Sequence, residues 1–135
     1  MKKIIVFFAA LVLASQAMAI QVTVDNNTGT CTIDVTVTPV DGSCTPTAAP
    51  ATSAGMLPTH SFDVVDGTGA VDFQIDITVI DNGGNKIVST FYADGSAICT
   101  GGVVSGSTSV MTNCSGAFVT ATVSGPPGAW TVSVN

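Results

Sequence analysis

The chain has 135 residues and a formal net charge of −6, set by nine acidic side chains against three basic ones. Every acid is an aspartate, and beyond Lys2 and Lys3 the only cation is Lys86. Phosphate backbones and anionic headgroups demand clustered Lys and Arg, so nucleic acid and acidic membrane surfaces are excluded as partners.

Lys2 and Lys3 are followed by an unbroken apolar run, Ile4 to Ala14, and by the small-x-small triplet Ala17-Met18-Ala19. That order is the signature of a cleaved signal peptide. The run is too short for a lasting transmembrane helix, and no second one follows. Residues 1–19 are therefore assigned to a signal peptide and 20–135 to a single domain with a formal charge of −8. The Met-Lys-Lys opening has a bacterial look, and the expected location is periplasmic or extracellular. The sequons Asn26-Asn27-Thr28 and Asn113-Cys114-Ser115 matter only in a host that glycosylates them.

The remaining chain is rich in Thr, Val, Ser, Gly and Ala, which favours strands and turns and starves helices. Alternation of apolar and polar residues predicts half-buried strands in order. Val22 and Val24 mark the first, and Asn26-Asn27-Thr28-Gly29 separates it from the next. Cys31, Ile33, Val35 and Val37 mark the second. Residues 41–59, rich in Pro, Ala, Thr and Ser, lack periodicity and read as a long loop anchored at Cys44. A short strand is expected near residues 61–65, and Val71, Phe73, Ile75, Ile77 and Val79 define a longer one.

Three hairpins follow. A two-residue turn within Asp81-Asn82-Gly83-Gly84-Asn85 would put Ile75, Ile77 and Val79 on one face with Val88, Thr90 and Tyr92, and the Gly-Gly choice would set Asp81 opposite Lys86. A Gly106-Ser107 turn would set Cys99 opposite Cys114, with a bulge at Gly101-Gly102 relieving the backbone separation of a hydrogen-bonded pair. Cys31 then pairs with Cys44 by elimination, although four cysteines allow three connectivities. At the C-terminus, Gly125-Pro126-Pro127-Gly128 would oppose Val123 to Trp130, Ala121 to Val132 and Val119 to Val134, leaving Thr120, Thr122, Thr131 and Ser133 on the other face.

With eight or nine strands and no helix to cover them, the expected fold is all-β: an antiparallel β-sandwich, immunoglobulin-like or a related Greek key, held by two disulfides. The Cys–Trp–Cys order of antibody-type domains is absent, since Trp130 follows every cysteine.

Chemistry is sparse. His60 is the single histidine and could serve a Ser–His–Asp arrangement with Asp63, but no G-x-S-x-G elbow is present. Asp72 and Asp76 read as two solvated charges on one strand face rather than a glycosidase pair. The cysteines contain no C-x-x-C, so Cys31, Cys44, Cys99 and Cys114 are structural disulfide residues. Aspartates in Gly-rich turns invite calcium, with Asp63, Asp66 and Asp72 as candidate ligands, but none matches the D-x-[DN]-x-[DN]-G spacing. No other cofactor is expected.

Two features point outward. Thr120, Thr122, Thr131 and Ser133 form one polar patch able to bind a glycan or another ordered surface, and Thr30, Thr32, Thr36 and Thr38 form a second. Strand edges are poorly guarded by charge, and a separate first strand, Ile20 to Asp25, could complete the sheet of a neighbour. The expected function is that of a secreted, non-enzymatic structural or adhesive surface protein acting through sheet contacts and able to self-associate. The alternative is a soluble extracellular module that binds glycan or calcium. The partners left open are the chain itself, another surface protein or a neutral glycan.

Overall fold

The computed structural model describes residues 19–55, 58–93, 99, 102–114 and 116–135. The expected leader lies outside these except for Ala19, as do the Asp94-Gly95 segment and the expected bulge residue Gly101. Ten strands form and no helix is present among the described residues. They are β1 (Ala19–Asn26), β2 (Thr32–Val40), β3 (Ala51–Gly55), β4 (Thr59–Val65), β5 (Asp72–Ile80), β6 (Lys86–Ala93), β7 (Val103–Val104), β8 (Thr108–Cys114), β9 (Ala117–Ser124) and β10 (Ala129–Val134).

One sheet runs β4-β1-β10-β9-β8 and the other β3-β2-β5-β6-β7. The strands alternate because their sequences do. In β2, Ile33, Val35 and Val37 are buried while Thr32, Asp34, Thr36 and Thr38 are half-exposed. The inward residues of both sheets form one cluster, including Val22, Val24, Ile75, Ile77, Phe91, Met111, Val123, Trp130 and Val132. The molecule is a β-sandwich.

It is not purely antiparallel. The first and last strands, β1 and β10, pair in parallel, as do β6 and β7. Alternation says which side of a strand faces the core but nothing about the direction of its neighbour. The first strand is not detached either. It lies between β4 and β10 inside its own sheet, so Ile20 to Asp25 pairs within its own domain, the alternative to donating the strand to a neighbour.

Each predicted hairpin is corrected in an instructive way. At β5–β6 the pairing is Ile75↔Phe91, Ile77↔Ser89 and Val79↔Ile87, so Val88, Thr90 and Tyr92 face outward. The loop holds three residues between the paired Asp81 and Asn85, not two, and one residue of difference turns the whole strand over. Gly84 adopts φ 79° at the position where such a loop needs the left-handed region. Asp81 accepts bonds from the Gly83 and Asn85 N–H groups at 2.8 and 2.9 Å and from the Asn85 side chain at 2.8 Å, rather than meeting Lys86, which pairs with Ile80.

The same device closes the loop after β2. Asp41 accepts bonds from the N–H groups of Ser43 and Thr45 at 2.8 and 3.0 Å, and Cys44 takes the left-handed position with φ 62°. The segment 41–59 is therefore not one loop. It makes this tight turn, a bridge between Val40 and Pro46, and then β3, an edge strand paired with β2. Its Ala, Thr, Ser and Gly residues are partly exposed on both faces, so no hydropathy alternation betrays the strand. Gly67 packs so closely on Thr47 that a Cβ would collide with it, pinning the segment to the β4–β5 connection.

At the C-terminus the register is Thr131↔Ser124, Val132↔Val123, Ser133↔Thr122 and Val134↔Ala121. It is displaced by two residues from the expected one. An even displacement keeps the faces, and Val119, Ala121, Val123, Trp130, Val132 and Val134 all point inward.

The Gly106-Ser107 hairpin does not form. β7 joins β6 in one sheet and β8 joins β9 in the other, so the chain changes sheets at Ser105–Ser107. The bridges are consequently Cys31–Cys114 and Cys44–Cys99, with Cα separations of 5.6 and 5.9 Å, correcting the pairs drawn from the hairpin. Cys31–Cys114 ties the start of β2 to the end of β8 and so joins the two sheets. Cys44–Cys99 fixes the Asp41 turn. Two such bridges point to folding in an oxidising compartment, extracellular or periplasmic. Among the described residues no helix is long and apolar enough to cross a membrane.

Candidate functional site

Strand pairing converts the alternating threonines of β9 and β10 into part of a wider surface. Thr120, Thr122, Thr131 and Ser133 lie together on the outer face of the β4-β1-β10-β9-β8 sheet. The cross-strand registers continue the rows on both sides. One row reads Ser61, Thr23, Thr131, Ser124, and the next Thr59, Asp25, Ser133, Thr122, Thr108, spanning all five strands. Thr23, Ser61, Thr59 and Thr108 were absent from the patch inferred from sequence. Their own alternation marks them as outward, but only the pairing makes them neighbours.

The hydroxyls are partly tied to one another. Thr23 and Ser61 lie 2.9 Å apart, Thr108 and Thr122 3.1 Å apart, and the Thr59 hydroxyl donates to Asp25 at 2.9 Å. Strands are spaced by about 4.8 Å and outward residues along a strand by roughly 7 Å, so the face is a two-dimensional lattice of short hydroxyl groups. Such a surface exchanges hydrogen bonds with a flat partner and loses little side-chain entropy in doing so.

Charge is distributed unevenly. From Gly95 to Asn135 no side chain is charged. β8, β9 and β10 are therefore neutral, and the aspartates of this face are confined to the opposite flank, Asp25 on β1 and Asp63 on β4. At the neutral end the face becomes apolar. Phe118 is 77% exposed and Val110 63%, both on the outward side beside Thr120.

The second threonine patch is different in kind. Thr30 lies before β2 with its hydroxyl 3.2 Å from the Cys114 sulfur and is not part of it, while Thr32, Thr36 and Thr38 lie on the outer face of the other sheet, whose rows contain Asp34, Asp76 and Gln74. The Thr36 and Thr52 hydroxyls lie 3.2 Å apart, Thr90 donates to Asp76, and Gln74 donates to Asp76 at 2.9 Å. Tyr92, expected to point inward, is on this outer face opposite Gln74, and its hydroxyl donates to the Gln74 side-chain oxygen at 3.4 Å. It is nonetheless buried, because Gly102 lies against its ring. That burial, and then the carboxylates of Asp76 and Asp72, raise the phenol above its usual 10.0.

The remaining candidates are dispersed. His60 is on the inner side of β4 with Phe62 and Val64, and neither ring nitrogen has a hydrogen-bond partner. Asp63 lies three residues on and points to the opposite face, so the two do not form a catalytic pair. Of the calcium candidates, Asp63 is exposed on β4, Asp66 is half-buried beyond its end, and Asp72 is buried at the start of β5, where its carboxylate accepts from the Phe73 N–H at 3.0 Å. Among the described residues no group of three His, Cys, Asp or Glu side chains is placed to hold a metal ion. Asp41 and Asp81 serve their own turns.

The sequon at Asn26 is occupied by structure. Its side chain is buried, donates to the Cys31 carbonyl at 3.0 Å and accepts from the Thr28 N–H and hydroxyl at 3.1 and 2.7 Å. It braces the corner where the chain passes from one sheet to the other and is not presented for glycosylation.

No protein-family model matches the chain, and no curated protein or solved structure matches it.

Proposed function

We propose that the protein is an exported, non-enzymatic structural or adhesive component that works through the outer face of its β4-β1-β10-β9-β8 sheet. The observation that carries this reading is the hydroxyl lattice spanning five strands, neutral across β8–β10. A neutral face can approach an uncharged, hydrogen-bonding surface without the desolvation that aspartates would cost. The inward His60 and its separation from Asp63 favour contact over catalysis. The leader-like residues 1–19 and the disulfides support export and a place at or outside the cell surface.

The test uses a hydrated cellulose film as an uncharged surface. Wild type is expected to be retained, with little dependence on salt because few charges take part. A variant carrying Thr120→Asp, Thr122→Asp and Thr131→Asp is expected to bind at least about tenfold more weakly while keeping its far-ultraviolet circular dichroism. Equal retention of both proteins, or of neither, removes the face from consideration.

Phe118 supports a second reading, a soluble glycan-binding module. An exposed aromatic beside a hydroxyl face suits stacking on a sugar ring. Saturable binding of short soluble oligosaccharides by a monomer, lost on Phe118→Ser, would favour it.

A further inference from the structure

We propose that β8 is a self-association edge, at which a second copy of this chain pairs antiparallel with β8 about Val110 to make one sheet of ten strands. The inference deepens the contact reading above by naming the partner of one edge.

The backbone directions follow from the hydrogen bonds of β9. Thr120 and Asn135 exchange both backbone hydrogen bonds, at 2.8 and 3.0 Å, so the groups of Thr120 point to β10. Alternate residues of a strand address opposite neighbours, so Val119 and Ala121 address β8, where they face Met111 and Ser109. Thr108 and Val110 therefore turn their N–H and C=O groups to the open side of the sheet. An antiparallel strand with its two-fold axis at Val110 meets the Val110 groups with its own, donor to acceptor, and sets Thr108 opposite Thr112, where the register of β8 begins to shift. The interface is isologous and closed, and it stops at two copies.

Charge selects this edge and this occupant. The opposite edge, β4, carries Asp63 with Asp25 on the strand beside it, and Lys86, the one lysine among the described residues, lies in the other sheet. A copy docking there would bring carboxylate towards carboxylate. The edges of the second sheet, β3 and β7, have five and two residues. β8 has seven, contains no charge or proline, and is bordered by the exposed Val110 and Phe118. Natural edge strands are usually protected by charge, proline, brevity or a bulge; β8 has only a shift of register between Met111 and Cys114, which leaves Thr108 to Met111 in regular pairing with β9. In an acidic chain the neutral β8–β10 region is where two like-charged molecules approach with least repulsion.

Sedimentation velocity of the oxidised, exported protein over a concentration series tests this. Wild type is expected to sediment as a reversible monomer–dimer pair. Val110→Lys places two ammonium groups opposite each other at the axis and is expected to raise the dimer dissociation constant about tenfold or more. Phe118→Ser is expected to weaken it less, and Ser61→Lys on β4 to leave it unchanged. Circular dichroism of each variant verifies the fold; Val110 is exposed enough to accept lysine.

A wild type that stays monomeric up to about millimolar concentration, where even weak contacts register, overturns the proposal. So does a dimer indifferent to Val110→Lys, or an open polymer abolished equally by Ser61→Lys. A wild type that is monomeric yet retained on cellulose overturns this edge alone, and one that dimerises yet is not retained overturns the hydroxyl face alone.

Discussion

Asp81 shows how much one side chain organises here. Its carboxylate takes two backbone N–H groups and the Asn85 amide, and those bonds hold it ionised below the usual 3.8. The bond from the Asn85 side chain is the largest cause. A carboxyl group lowered by folding stabilises above its unfolded value, and that contribution is lost as pH falls through the lower folded value. Asp81→Ala is therefore expected to lower Tm at pH 7, and the gap from wild type to close between pH 3.8 and more acid conditions. A gap of constant size down to pH 2 would refute the assignment. Asn26 works without charge. Asn26→Ala removes the amide's bonds to the Cys31 carbonyl and to the Thr28 N–H and hydroxyl in a buried corner and is expected to cost roughly 2 kcal/mol. Urea unfolding of the oxidised protein measures it, and a cost below ~0.5 kcal/mol would show that water replaces the amide freely.

Among the elements, β7 and β8 decide the topology. Had they formed a hairpin, each disulfide would have closed a short loop. Because they part to different sheets, the bridges span 83 and 55 residues instead. Loop entropy grows only with the logarithm of length, so both are expected to be worth similar amounts, about 4 kcal/mol each. Proteolysis without reduction should yield peptides joining Cys31 to Cys114 and Cys44 to Cys99. Recovery of a Cys99–Cys114 peptide would restore the hairpin. Chemical denaturation of the Cys31→Ala/Cys114→Ala and Cys44→Ala/Cys99→Ala pairs checks the magnitudes. The β5–β6 connection teaches a related lesson. Asp-Asn-Gly-Gly-Asn accommodates either a two- or a three-residue loop, and β6 has a mixed composition on both faces. Ile87, Ser89 and Phe91 alternate with Val88, Thr90 and Tyr92, so hydropathy could not choose, and the left-handed Gly84 did.

At the scale of the molecule, the two threonine faces diverge because their neighbours do. On one sheet the hydroxyls adjoin neutral strands and an exposed Phe118. On the other, Thr90 donates to Asp76, and Asp34, Asp76 and Gln74 interrupt the threonine rows. The proposed contact function and the proposed β8 pairing both rest on β8, β9 and β10, none with a charged side chain, lying side by side in one sheet.

The sequence by itself determined the all-β class, the burial of β1, β2, β5, β9 and β10, and the outward threonines of β9 and β10. These depend on side-chain alternation, a property of a strand that exists before it has a partner. Tertiary structure alone decided the parallel pairing of β1 with β10, the strand hidden in residues 51–55, the disulfide partners and the five-strand breadth of the hydroxyl face. Each is a relation between segments distant in sequence, settled only when two sheets close over one core. No local pattern encodes which strand arrives beside which.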